Sequence, residues 1–146
     1  MLADDALTGE GALARLRDYP GLRPLSAAQR RRADVHLVFA AGFTGATMEL
    51  LESLAASSLN PAAGIVLITS HVPGPFVLRA VRSGVRSVLP RTAQGFDVVV
   101  EAVRDVARGD ARMSPALQGR PRAARRQAPG GCRPPRAPWL GAEAVP

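Results

Sequence analysis

Residues 64–91, GIVLITSHVPGPFVLRAVRSGVRSVLPR, decide the fold class. Ile65–Ile68 is a short apolar run rich in β-branched side chains, and Thr69 places a hydroxyl at its end. Pro73, Gly74 and Pro75 break the chain, and proline is well tolerated in a helix's first turn. Phe76, Val77, Ala80 and Val81 then recur at helical spacing. Gly84 stands where a helix C-terminus takes a left-handed residue. Ser87–Leu89 restarts an extended run, and the cation of Arg91 follows. The unit reads as strand, helix and parallel strand, with Thr69 and Arg91 at the same sheet edge. Ligands and chemistry gather at that carboxyl edge in open α/β sheets.

The same alternation continues in both directions. Downstream, Phe96–Arg108 is a helix with Phe96, Val99, Val100, Val103 and Val106 inward, and Gly109 stops it. Upstream, Val35–Ala40 is a buried strand. Thr44 or Thr47 caps the next helix, whose apolar stripe is Met48, Leu51, Leu54 and Ala55; Asn60-Pro61 closes it. Leu2–Asp5 reads as the end of a strand running into an acidic loop, and a helix from Thr8 through Arg17 follows. Leu22–Ser26 reads as a further strand, confined to a sheet edge by Pro24. Ala27–Arg32 is a short polar connection whose three arginines form a solvated face. Strands alternating with helices predict an α/β domain with a parallel sheet covered on both faces.

Composition divides the chain. Residues 1–117 carry 13 arginines against 11 acidic residues, a net +2; residues 118–146 carry six arginines and only Glu143, a net +5. The domain is therefore expected over 1–117. The Arg/Pro/Gly-rich tail, 118–146, has no periodicity and is expected to be disordered. Its basicity opens one alternative function, electrostatic contact with nucleic acid through Arg120, Arg122, Arg125 and Arg126. The chain has no lysine, so no site that requires one can exist. Cys132 is the only cysteine, which excludes an intrachain disulfide and fits a cytoplasmic location. No secretory signal opens the sequence, and no apolar run approaches the ~18–20 residues of a membrane span. His36 and His71 have no partners at metal-ligand spacing, and Ser53, Ser57 and Ser58 lack a nucleophile-elbow context. Neither a metal site nor a hydrolase is expected.

Several short motifs stand in a telling order: Ala3-Asp4-Asp5-Ala6-Leu7, Asp34-Val35-His36-Leu37, Ile65–Thr69, Ala80–Val85 with Arg91 beyond, Val103–Gly109 and Met113–Leu117. Together they resemble the receiver domain of bacterial response regulators, of the kind joined to a LuxR-type helix-turn-helix. The resemblance implies a doubly wound, flavodoxin-like sheet of five parallel strands in the order 2-1-3-4-5. It also implies phosphoryl transfer to an aspartate at the end of the third strand. Two upstream acidic residues help hold magnesium, and a hydroxyl and a lysine bind the phosphoryl oxygens; such a site works by positioning and charge neutralisation.

Carried over residue by residue, the acidic pair is Asp4 and Asp5 and the hydroxyl is Thr69. The acceptor position falls on Phe39, or on Ala40 with a slip of one, and neither is a nucleophile. The lysine position holds Arg91, and the aromatic switch position holds Val88. Asp4 and Asp5 remain as a vestigial magnesium site or as helix N-terminal charges. Thr69 remains as an anion ligand beside Arg91 or as a locally satisfied hydroxyl. The resemblance thus implies a non-enzymatic, cofactor-free receiver that has lost its phosphorylation site. It would act by protein contact or ligand input, with a partner or homodimer surface on the helices at 75–83 and 96–108 and the strand at 87–89. Its parent would be a DNA-binding transcriptional regulator, whose DNA-reading part is not in this sequence. The first strand is expected to be truncated, since a strand takes about five residues. Either the true start lies upstream or the chain is only marginally stable, and the C-terminus reads as truncated or frame-shifted, with a genuine end as the alternative.

Overall fold

The computed structural model describes residues 2–3, 6–91 and 95–111. In chain order the elements are β1 (Leu2–Ala3), α1 (Ala6–Arg17), a 3-10 turn (Ala27–Arg32), β2 (Val35–Phe39), α2 (Gly45–Ser57), β3 (Gly64–Ile68), α3 (Gly74–Arg82), β4 (Val85–Leu89) and α4 (Phe96–Ala107). The strands lie side by side in the order β1-β2-β3-β4, all parallel. Three strands are five residues long and β1 has two.

All five residues of β3 are buried, because the strand is flanked on both edges and covered on both faces. Its side chains alternate between two cores. Ile65 and Leu67 join Val38, Met48, Leu51 and Ala80 beneath α2 and α3. Val66 and Ile68 join Leu16, Leu37, Val100 and Val106 beneath α1 and α4. Each such aliphatic side chain contributes about 1.5–3 kcal/mol of transfer free energy.

Local chemistry sets the helix ends. Thr44 and Thr47 form a reciprocal cap at the start of α2: the Thr47 N–H donates to Thr44 Oγ1 at 3.3 Å, and the Thr44 N–H donates to Thr47 Oγ1 at 3.2 Å. Pro75 lies in the first turn of α3. Gly84 and Gly109 follow α3 and α4 with φ of 87° and 88°, as the sequence predicts. Arg79 bridges α3 to Glu52 of α2 with both carboxylate oxygens engaged.

Two expectations are corrected. The described sheet has four strands rather than five, because Leu22–Ser26 forms no strand: Pro24 has no N–H to give a ladder, and the segment passes instead into the 3-10 turn. The first helix begins at Ala6, so Thr8 lies within it and not at its cap. The expected tail, 118–146, with Arg120, Arg122, Arg125 and Arg126, lies outside the described residues.

Gly64 opens β3 at a point where α4 comes close. A Cβ there would stand 2.3 Å from Val106 Cγ1 and 3.0 Å from Arg86 Cδ. Arg86 is the extra residue of a bulge, since Ile65 pairs with Val85 and Val66 with Ser87. Gly64→Ala is expected to cost about 1–3 kcal/mol in denaturant unfolding, the usual penalty of overpacking. Gly11→Ala, with open space around it on α1, is expected to gain about 0.5–1 kcal/mol.

Candidate functional site

The carboxyl edge of the sheet is where the resemblance places its chemistry. Ladder bonds fix the register there: the Ala40 N–H donates to the Ile68 carbonyl at 2.9 Å, and the Thr69 N–H donates to the Leu89 carbonyl at 3.0 Å. The ends of β2, β3 and β4 are thereby held level, and α2, α3 and α4 each start a few residues beyond.

The end of β2 is apolar in either register. Phe39 pairs with Ile68 and packs, partly buried, against the α1/α4 core. Ala40, 1% exposed, belongs to the opposite core beneath α2 and α3. Neither position offers a carboxylate or any other nucleophile. Asp4 and Asp5 lie outside the described residues. Val88, at the aromatic switch position, is fully buried in the α2/α3 core.

Thr69 is fully buried, and its Oγ1 finds no hydrogen-bond partner among the described residues. A local backbone bond was one of the two readings open to it, and no such bond is made. Arg91 reaches the same edge but is exposed, and no hydrogen bond or ion pair joins it to Thr69 among the described residues. Three of the expected positions thus come together at one edge as a buried hydroxyl, an aromatic ring and a solvated cation. That set can attract an anion, and it contains no carboxylate.

A second concavity lies along the other end of β2, where the sequence reading placed no site. It encloses about 680 Å³ and is walled by Leu13 and Leu16 of α1, Leu22 and Leu25 of the following segment, and Val103 of α4. Arg30 and Arg32 line it and are exposed as the sequence predicts, and Arg23 beside them is exposed too. Arg31 also lines it, with Nε donating to the Ser57 carbonyl at 2.9 Å. His36 also lines the concavity, is 6% exposed, and has an Nε2 without a partner. Burial, with the nearby charge of Arg30, pushes the His36 imidazole below its ordinary value. The sequence signal for this site was slight: a histidine in an apolar strand, and Pro24 in the segment opposite.

A third polar cluster ties the end of α1 to α4. The Tyr19 hydroxyl donates to Asp97 at 2.5 Å, its ring meets Phe96 at 6.1 Å, and Arg104 donates to the Pro20 carbonyl at 2.9 Å. The bond to Asp97 raises the Tyr19 pKa. Among the described residues no group of three metal-ligating side chains exists, and no helix is long and apolar enough to cross a membrane.

Comparison with known proteins is sparse. No protein-family model matches the chain, and no curated protein matches it. Among solved structures, a Burkholderia pseudomallei protein described as pilus assembly-related is similar with a TM-score of 0.51 and 18% identity. The likeness covers 77% of this chain and 91% of that one, and it shows the α/β fold alone.

Two outcomes follow for these buried polar groups. Thr69→Val removes an unpaired buried hydroxyl at constant shape, so it is expected to stabilise the fold by about 1 kcal/mol in chemical denaturation. Burial lowers the His36 pKa in the fold, whereas its unfolded value is about 6.5. The unfolded chain therefore takes up the proton first, and the stability His36 gives is full above that pH and lost as pH falls below it. Unfolding free energies at pH 7.5 and 5.5 are expected to differ less in His36→Leu than in the parent.

Proposed function

We propose that this chain is a receiver-like regulatory module of the response-regulator type that signals by protein contact and not by phosphoryl transfer. The observation that carries this reading is the end of β2. Its ladder register is fixed, and the two residues that could occupy the acceptor position are built into opposite apolar cores. The cation at Arg91 and the hydroxyl at Thr69 keep the family's places without touching, which supports a domain that retains the scaffold and not the reaction.

Protein contact needs a surface, and the face formed by α3, β4 and α4 is suited to it. β4 is the last strand of the described sheet and leaves one edge unpaired by any described strand. Leu78 on α3 is 61% exposed, a large apolar side chain beside the exposed Arg82. An exposed leucine alone is ordinary; its place on the helix that leads into β4, whose outer edge no described strand pairs, supports this face as a contact surface. In this reading the face pairs with a second copy, and the parent protein carries a DNA-reading domain.

A second reading rests on the charge of residues 118–146: the tail binds nucleic acid through Arg120, Arg122, Arg125 and Arg126. It calls for duplex binding that weakens steeply with salt and disappears when the tail is removed.

Incubation of the full chain with a small phosphodonor such as acetyl phosphate is expected to leave no acid-stable or hydroxylamine-labile phosphate on it. Incorporation would overturn the proposal. Leu78→Glu is expected to weaken self-association at least tenfold in sedimentation velocity at unchanged melting temperature. Equal association of variant and parent would remove this face from the reading.

A further inference from the structure

Two hollows meet around one buried side chain. The concavity of about 680 Å³ beside β2 adjoins a second, of about 490 Å³, which extends to Leu54 of α2. Leu13, Leu25, Arg30 and His36 line both, so the two form one recess. Its size is that of a small-molecule site, since such pockets run to about 300–1,000 Å³. His36 is 6% exposed, and its Nε2 has no hydrogen-bond partner among the described residues. Protein interiors leave few polar atoms in that state. One that lines a hollow is a place where a ligand can supply the missing partner.

Charge and hydrocarbon are arranged around this nitrogen. Arg23, Arg30, Arg31 and Arg32 line the larger hollow against a single carboxylate, Asp34, whose Oδ1 accepts from Asn60 Nδ2 at 2.9 Å. Arg23, Arg30 and Arg32 form no ion pair among the described residues. A cleft lined by charge of one sign concentrates ions of the other. Arg30 stands near enough to His36 for its charge to act on the imidazole. Much of the remaining wall is apolar, from Leu13, Leu16, Leu22 and Val103.

We propose that the recess is a binding site for a small amphipathic carboxylate, a medium-chain aliphatic acid, whose head lies between Arg30 and His36 Nε2 and whose chain covers the leucine and valine wall. The two head oxygens accept from the Arg30 guanidinium and from the Nε2–H of the His36 tautomer that carries its proton there. The chain gains by leaving water for Leu13, Leu16 and Val103. A cation with the same chain meets the arginines as like charges and is refused. The site lies at the other end of β2 from Thr69 and Arg91 and does not depend on the receiver reading.

Decanoate, kept below the concentration at which it forms micelles, is the probe, titrated calorimetrically into the full chain. One saturable site is expected. The chain holds two histidines, and the exposed His71 serves as an internal reference: the ring proton signals of His36 are expected to move to saturation while those of His71 stay in place. Arg30→Gln, at an exposed position, is expected to weaken binding at least tenfold at unchanged melting temperature of the free protein, and Arg91→Gln to leave binding as it is. Decyltrimethylammonium is expected not to bind. The absence of saturable decanoate binding would overturn the proposal. So would equal binding of the cation, which would reduce the recess to an apolar surface without head-group selection. Equal affinity in Arg30→Gln and the parent, or a His36 signal that does not respond, would equally remove the carboxylate from this place.

Discussion

Everything in this fold hangs on β3. A strand flanked on both edges and covered on both faces has no solvent exposure to spend on polar side chains, so Ile65–Ile68 is uninterrupted hydrocarbon. Both cores are built from its alternate residues. Its backbone also sets the level of the neighbouring strands, through the bond from Ala40 to Ile68 at one end and from Gly64 to Asp34 at the other. The helices have no independent hold on each other comparable to this. Apart from the Arg79–Glu52 bridge between α2 and α3 and the polar cluster joining the end of α1 to α4, they are placed by the face of the sheet they cover.

That constraint explains what could be read from the residues. The unit from Gly64 to Arg91 was legible because burial on two faces leaves an unmistakable apolar run, and because Pro75 and Gly84 mark the ends of α3 by backbone chemistry that few other residues satisfy. α4 was legible through its valine periodicity. Leu22–Ser26 misled because its composition suits a strand edge while Pro24 withholds the donor that a ladder needs. Local sequence reports what a segment prefers, and pairing depends on what lies beside it.

The site was legible in a different proportion. Phe39, Thr69 and Arg91 were placed at one edge by the order of the motifs, and the ladder brings the ends of those strands level. What residue types could not convey is that Thr69 Oγ1 has no partner among the described residues, since that depends on distances between separate segments. The concavity beside β2 was invisible for a similar reason. Its walls come from α1, from the segment after it and from α4, and nothing in their separate sequences shows that they converge beside β2. His36 is buried in β2, and its place on a recess emerges only in three dimensions.

The cluster around Tyr19 gives the domain a mechanical property. Asp97 in the first turn of α4 grips the Tyr19 hydroxyl, and Arg104, two turns on, grips the Pro20 carbonyl. Two attachments on one helix, several residues apart, fix orientation as well as position. The turn at Tyr19–Leu22 is therefore carried by α4 like a handle on a rod. Any tilt of α4, whether from a protein bound to its outer surface or from thermal motion, is transmitted to the chain that walls the β2 recess. Two separate parts of the layer that covers one face of the sheet thus share one degree of freedom, and a load applied at one is felt at the other.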